Sequence, residues 1–160
     1  MPLKKIDRGH NTWPQNEGYW MLFVARDYVP GHAFIVWATR NRVNNTWKSF
    51  EGYGLYPDPS APSSKIAFGT VPGGVVMENI RSLNGANNGV AVAVTKQMYD
   101  YSKTNVSAIS AYPSDYNLYN KNCVHFTDLV ARSISLITPN IDDSLTHPQS
   151  YISKLRGMNN

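Results

Sequence analysis

Apolar residues along this chain gather in short dense runs separated by polar, turn-rich stretches. Residues 19–25 are apolar throughout and read as a buried strand. The turn signal Pro30-Gly31 follows, and residues 32–39, rich in β-branched and aromatic side chains, predict a second strand. Polar residues 40–45 close a hairpin, and residues 46–53 predict a third strand, with Trp47, Phe50 and Tyr53 set among polar neighbours. Residues 54–75 are rich in Gly, Pro and Ser and read as a long loop with one short strand at 65–68. Strands are expected at 75–80 and 89–94. Thr95 then caps a helix running to about 111, with Met98, Tyr101, Val106 and Ile109 as its apolar members. A second helix spans about 123–136, with Val124, Phe126, Leu129, Val130 and Ile134 facing a sheet, and a short helix is expected at 150–155. The pattern defines an α+β fold, an antiparallel sheet packed against helices, in a single domain over 1–160. Residues 1–18 form an N-terminal arm and 137–160 a C-terminal tail.

Composition narrows this picture. Apolar residues make up 42% of the 160 positions and charged residues 16%, which is globular rather than disordered. The net charge is +4, which draws a protein towards anionic surfaces such as membrane or cell wall. No basic cluster is denser than Lys4-Lys5 or Arg40-Asn41-Arg42, so no nucleic-acid partner is expected. One cysteine excludes an internal disulfide. Residues 1–8 lack the apolar core of a signal peptide, and no apolar stretch is long enough to span a bilayer. A protein of this kind is made in the cytoplasm, and another machine carries it if it acts in a target cell.

The candidate chemistry centres on Cys123. Asn122 is a preferred helix N-cap, because its side-chain oxygen accepts an orphan backbone N–H. It places Cys123 in the first helical turn, where the helix dipole favours the thiolate. A nucleophilic thiol needs a base close in space. Of the four histidines, His125 is two residues along the same helix and points away, in a capping or packing role, while His10 and His147 lie in polar segments. His32 opens an apolar strand directly after a turn, where a sheet presents a polar group at its rim. A third group on the paired strand would orient the imidazole. With the hairpin closed at 40–45, Glu51 comes opposite His32, and Ser49 on the same face is the alternative. Tyr53, Tyr56 and Asn122 are the candidate lining of the substrate groove. Nothing in the chain has the ligand count or spacing of a metal site, and no cofactor is expected.

Gly31-His32-Ala33-Phe34 and Asn122-Cys123-Val124-His125-Phe126 resemble the circularly permuted branch of the NlpC-type papain-like fold, in which His precedes Cys. The Asn-Cys-x-His-Phe run is also similar to the cysteine motif of the lecithin:retinol acyltransferase-like family. The resemblance covers roughly residues 19–136 and implies a papain-like cysteine hydrolase with Cys123 as nucleophile and His32 as base. Lipid-acting relatives commonly place a second His on the neighbouring strand, whereas this chain has none between His32 and Cys123. Glu51 or Ser49 must fill that role, or the site is a dyad. The resemblance implies acyl transfer through a thioester, on acyl esters of membrane phospholipid or, alternatively, as a peptidoglycan amidase or endopeptidase. A non-catalytic binding module of the same fold is the remaining alternative. Compact members of this group without an export signal look like antibacterial toxins delivered by a secretion machine, which implies a cognate immunity protein as partner.

Overall fold

The computed structural model describes residues 3–27, 31–79, 81–110, 114–141 and 146–160. The proposed turn residue Pro30, the strand end at Ile80 and the helix-ending Tyr112-Pro113 lie outside them. A seven-stranded sheet organises the chain. Its strands are β1 (Lys4–Asp7), β2 (Glu17–Arg26), β3 (His32–Asn41), β4 (Thr46–Pro57), β5 (Thr70–Met77), β6 (Ala86–Ala93) and β7 (Ser114–Asn117), in the spatial order β1-β6-β2-β3-β4-β5-β7. Among the described residues five α-helices accompany it: α1 (Ser63–Phe68), α2 (Arg81–Asn84), α3 (Lys96–Ser110), α4 (Cys123–Ser133) and α5 (Pro148–Met158).

The class is α+β, as the hydrophobic pattern predicts, but the sheet is mixed, because β1 runs parallel to β6. Residues 1–18 are therefore not simply an arm. The polar run Lys4–Asp7 buries one side chain, Ile6, and forms an edge strand. The tail likewise contributes core: Tyr151, Ile152 and Leu155 of α5 are fully buried. The expected long loop is mostly ordered structure, since β4 runs on to Pro57, α1 follows, and β5 already begins at Thr70.

Side-chain alternation along the strands divides the core between two faces. Ala33, Ile35 and Trp37 of β3 join Met21, Phe23, Val90 and Val92 against α3, α4 and α5. Phe34, Val36 and Ala38 pack on the other face with Leu22, Val24 and Ala91. The indole N–H of the fully buried Trp37 donates to Ser102 Oγ at 2.9 Å, so burial of that ring strands no donor. Leu129 and Tyr101 depart from the helical pattern and point outward, 59% and 64% exposed.

Candidate functional site

Two local features bring the site together. The first is the N-terminus of α4. Asn122 Oδ1 accepts the backbone N–H groups of Val124 (2.8 Å) and His125 (3.3 Å), while its amide donates to Leu118 O at 2.7 Å. The His125 ring answers from the third helical position, with Nδ1 3.5 Å from the Asn122 N–H, and completes a capping box. His125 is thus held in the cap, the role its spacing predicts. The buried Asn122 is a structural cap rather than an open groove wall.

The second feature is a fork in the sheet. Pairing between β3 and β4 extends from Asn41↔Thr46 only as far as Ile35↔Tyr53, after which β4 continues along β5 to Pro57↔Gly73. Beyond Ile35 the Ala33 N–H is free of that ladder, and the backbone dipoles of Ala33, Val124 and Cys123 favour the charged form of the Cys123 sulfur. Gly31, with φ +83, turns the chain into β3 just before His32. In that left-handed region a Cβ would be strained.

His32 is buried, and its ring stacks nearly parallel on Phe34, with centroids 5.6 Å apart. Its Nε2 lies 2.7 Å from Oε1 of Glu78, immediately beyond β5. The Tyr56 ring lies 4.2 Å from the imidazole, and its hydroxyl donates to the same Glu78 oxygen at 2.7 Å. Arg26 in turn donates to the Tyr56 hydroxyl at 3.0 Å. Gly54 makes room for the pair: a Cβ there would stand 2.5 Å from His32 Nε2 and 2.6 Å from Glu78 Oε1.

The electrostatics follow from burial and these bonds. Burial alone would raise the Glu78 carboxyl, but hydrogen bonds from His32 and Tyr56, with the charges of His32 and Arg26, hold it below the ordinary glutamate value. Burial and the Glu78 bond push the Tyr56 phenol up. Burial also pushes the Cys123 thiol up, and the backbone of Ala33, Val124 and Cys123 only partly opposes it. Desolvation therefore outweighs the helix-dipole argument, and the resting sulfur keeps its proton.

The sequence-derived residues divide accordingly. Cys123 and His32 both lie at the start of β3, but no hydrogen bond joins the sulfur to the ring: Cys123 shares the core of Ala33 and Ile35, and His32 stacks on Phe34, which packs on the other face. Glu51 does not orient His32. It pairs opposite Trp37, accepts from the Tyr53 hydroxyl at 2.5 Å and forms an ion pair with Lys103. Ser49 pairs opposite Thr39, with the hydroxyls 2.6 Å apart. The cause is register: the hairpin turn is tight, Asn41 pairs with Thr46, and a bulge at Thr39/Arg40 shifts β4 further. Tyr53 is buried in the helix-side core, edge-on to Trp37. Tyr56 does reach the site, as a partner of Glu78.

Glu78 and Tyr116 were not legible as site residues. Glu78 lies just past a glycine-rich strand, and no local motif marks it. Tyr116 of β7 is buried in the same cluster as Cys123. Burial, with the charge a Cys123 thiolate would carry, pushes its phenol up to about 12. Beside the fork an apolar cavity of about 480 Å³ opens between α4 and the β4–β5 pair, lined by Leu55, Val75, Phe126 and Leu129 with Lys121 and His125 at its polar side. Among the described residues no cluster of His, Cys, Asp or Glu is arranged to hold a metal ion, and no helix is long and apolar enough to cross a membrane.

These elements define a mixed α+β domain with a buried thiol at a capped helix start and a buried imidazole–carboxylate pair, His32 and Glu78. The crystal structure of the type VI secretion system effector TseH has a similar fold, with a TM-score of 0.62 over 91% of this chain and 91% of that one, at 15% sequence identity. No family model matches the chain, and no curated protein matches it.

Proposed function

We propose that this protein is a cysteine-nucleophile acyl hydrolase of papain-like arrangement, with Cys123 as nucleophile, His32 as general base and acid, and Glu78 as the group that orients the imidazole. The observation that carries the reading is the buried 2.7 Å contact between His32 Nε2 and Glu78, with the single thiol at the capped start of α4, which packs against the same strand β3. An ionised carboxylate only accepts, so Nε2 carries the proton and Nδ1 of the neutral ring is left as the base. Because the resting thiol is protonated, the base must act during attack. The Cys123 proton passes to His32 Nδ1 as the sulfur bonds to the acyl carbon. In this reading backbone N–H groups at the start of α4 hold the oxyanion. Collapse breaks the bond to the leaving oxygen, which takes the proton from His32 and departs as an alcohol. Water, deprotonated by His32, then attacks the thioester; the C–S bond breaks, the Cys123 sulfur takes the proton back from His32, and the carboxylic acid leaves.

The substrate class we favour is an acyl ester of membrane phospholipid, because the cavity beside α4 is apolar with Lys121 at one side, as an acyl chain with an anionic head group requires. The likeness of fold to TseH supports a toxin-type effector delivered by a secretion system, which would have a cognate immunity protein. Mass spectrometry of products from a bacterial phospholipid extract and from purified sacculi, with wild type and Cys123→Ala, tests the reading. Cys123-dependent lysolipid and free fatty acid are expected. Cys123-dependent muropeptides with intact lipid would make the protein a cell-wall hydrolase, and no Cys123-dependent product from either would remove the enzyme reading.

A further inference from the structure

The end of the β3–β4 hairpin, about 30 Å along β3 from His32, carries a second assembly that acyl transfer does not use. Trp13, Trp20, Trp47 and Phe50 form a chain of ring contacts, with centroids 5.4, 6.4 and 5.2 Å apart in succession. The Arg42 guanidinium lies 5.7 Å over Trp13, and that of Arg40 lies 5.1 Å over Trp47. Among the described residues neither guanidinium meets a carboxylate. Their hydrogen bonds go to backbone carbonyls, Arg40 to Asn45 and Arg42 to Trp13 and Pro14. The turn itself is braced: Asn41 Oδ1 accepts from the N–H groups of Val43 (2.9 Å) and Asn44 (3.3 Å), and Asn45 closes it with φ 62. This bracing holds Val43 out at the tip, 81% exposed, with Trp47 40% exposed behind it.

We propose that this hairpin end docks on an anionic phospholipid bilayer, with Val43 and the edge of Trp47 entering the interfacial layer and Arg40 and Arg42 meeting lipid phosphates. Each part has a physical reason. Indole rings favour the membrane–water boundary, where one edge is apolar and the other wet. Cations without a carboxylate partner gain from a surface of phosphates. A rigid tip with one aliphatic side chain loses little conformational entropy on insertion. A sugar-stacking platform fits less well, because the guanidinium groups already cover the ring faces that a sugar would need. The inference does not depend on the reaction assigned to Cys123.

Vesicle flotation of the full chain carrying Cys123→Ala, so that no lipid is consumed, tests it. Vesicles of phosphatidylglycerol and phosphatidylethanolamine are compared with pure phosphatidylcholine, and purified sacculi serve as a third arm. The protein is expected to float with the anionic vesicles, to stay behind with phosphatidylcholine, and to be released by high salt. Val43→Asp should weaken partitioning roughly tenfold, and Arg40→Gln with Arg42→Gln about thirtyfold, at about a factor of five per cation. Unchanged thermal midpoints show that the variants fold. Failure to float with anionic vesicles, flotation that the tip variants leave within about twofold, or retention on sacculi alone would each overturn the proposal.

Discussion

His32 and Glu78, 46 positions apart in sequence, meet at 2.7 Å because β5 returns beside β4 at the one place where β4 leaves β3. The contact is buried on both sides and shared with the Tyr56 hydroxyl. Glu78→Gln keeps the shape but removes the charge that fixes the ring's tautomer. We expect it to lower Cys123-dependent hydrolysis by about 10²-fold or more at saturating substrate. Glu51→Gln, which alters a carboxylate bound to Tyr53 and Lys103, should leave the rate within about twofold. Steady-state kinetics of the two variants decide which carboxylate serves His32.

The same carboxylate links stability to pH. Glu78 is held below its ordinary value of 4.5, so the unfolded chain binds its proton more readily than the folded one. Its contribution is fully present above 4.5 and is lost as the pH falls through the lower, folded value. The gap in thermal midpoint between wild type and Glu78→Gln should be widest at neutral pH and close in acid. Asp7 and Glu17 are also lowered, the first by hydrogen bonds from the His10 and Gly9 backbone and the second by bonds from Lys48 and Tyr19. Both are common to the two proteins and cancel in the difference. Calorimetry from neutral to acid pH gives the result directly, and a gap that stays constant would contradict the assignment.

Gly54 tests the geometry without touching a charged group. Gly54→Ala would place a methyl against both His32 Nε2 and Glu78 Oε1. The expected outcome is a loss of hydrolysis of at least about tenfold, accompanied by a folded far-ultraviolet spectrum, because displacement of an oriented base by a fraction of an ångström is costly to rate. Full activity in this variant would mean that the pair tolerates being pushed apart.

Asn122→Ala removes the acceptor for two backbone N–H groups and the donor to Leu118. A loss of about 1–2 kcal/mol of stability is expected, the usual worth of a buried N-cap. Urea denaturation measures it. Asn122→Asp restores the acceptor and should recover most of the loss, although not the bond to Leu118.

Much of the scaffold was legible because the central strands bury both faces and so read as continuous apolar runs: β2, β3 and the end of β6 are apolar almost throughout. The capped start of α4 was legible for a different reason, since Asn122 and Cys123 sit in a local motif whose hydrogen bonds span only a few residues. The edges were not. In β1 only Ile6 faces the core, and β5 spends two of its eight positions on Gly73 and Gly74, residues of low strand preference. The third site residue was hidden by the same physics. Its identity depends on register, and a tight turn with one bulge moves every cross-strand partner along β4. A carboxylate just beyond a glycine-rich strand carries no periodic signal, so Glu78 becomes visible only when β5 is laid beside β4.

Cys123 is the single thiol in 160 residues, and it lies buried at the start of α4. A maleimide or iodoacetamide adduct detected as a mass increment on the intact chain therefore reports on one atom, with no background thiols to remove first. At one fixed pH, the rate at which the increment grows with and without added lipid compares the accessibility of that thiol between the two conditions, so the protein carries its own gauge of access to the site.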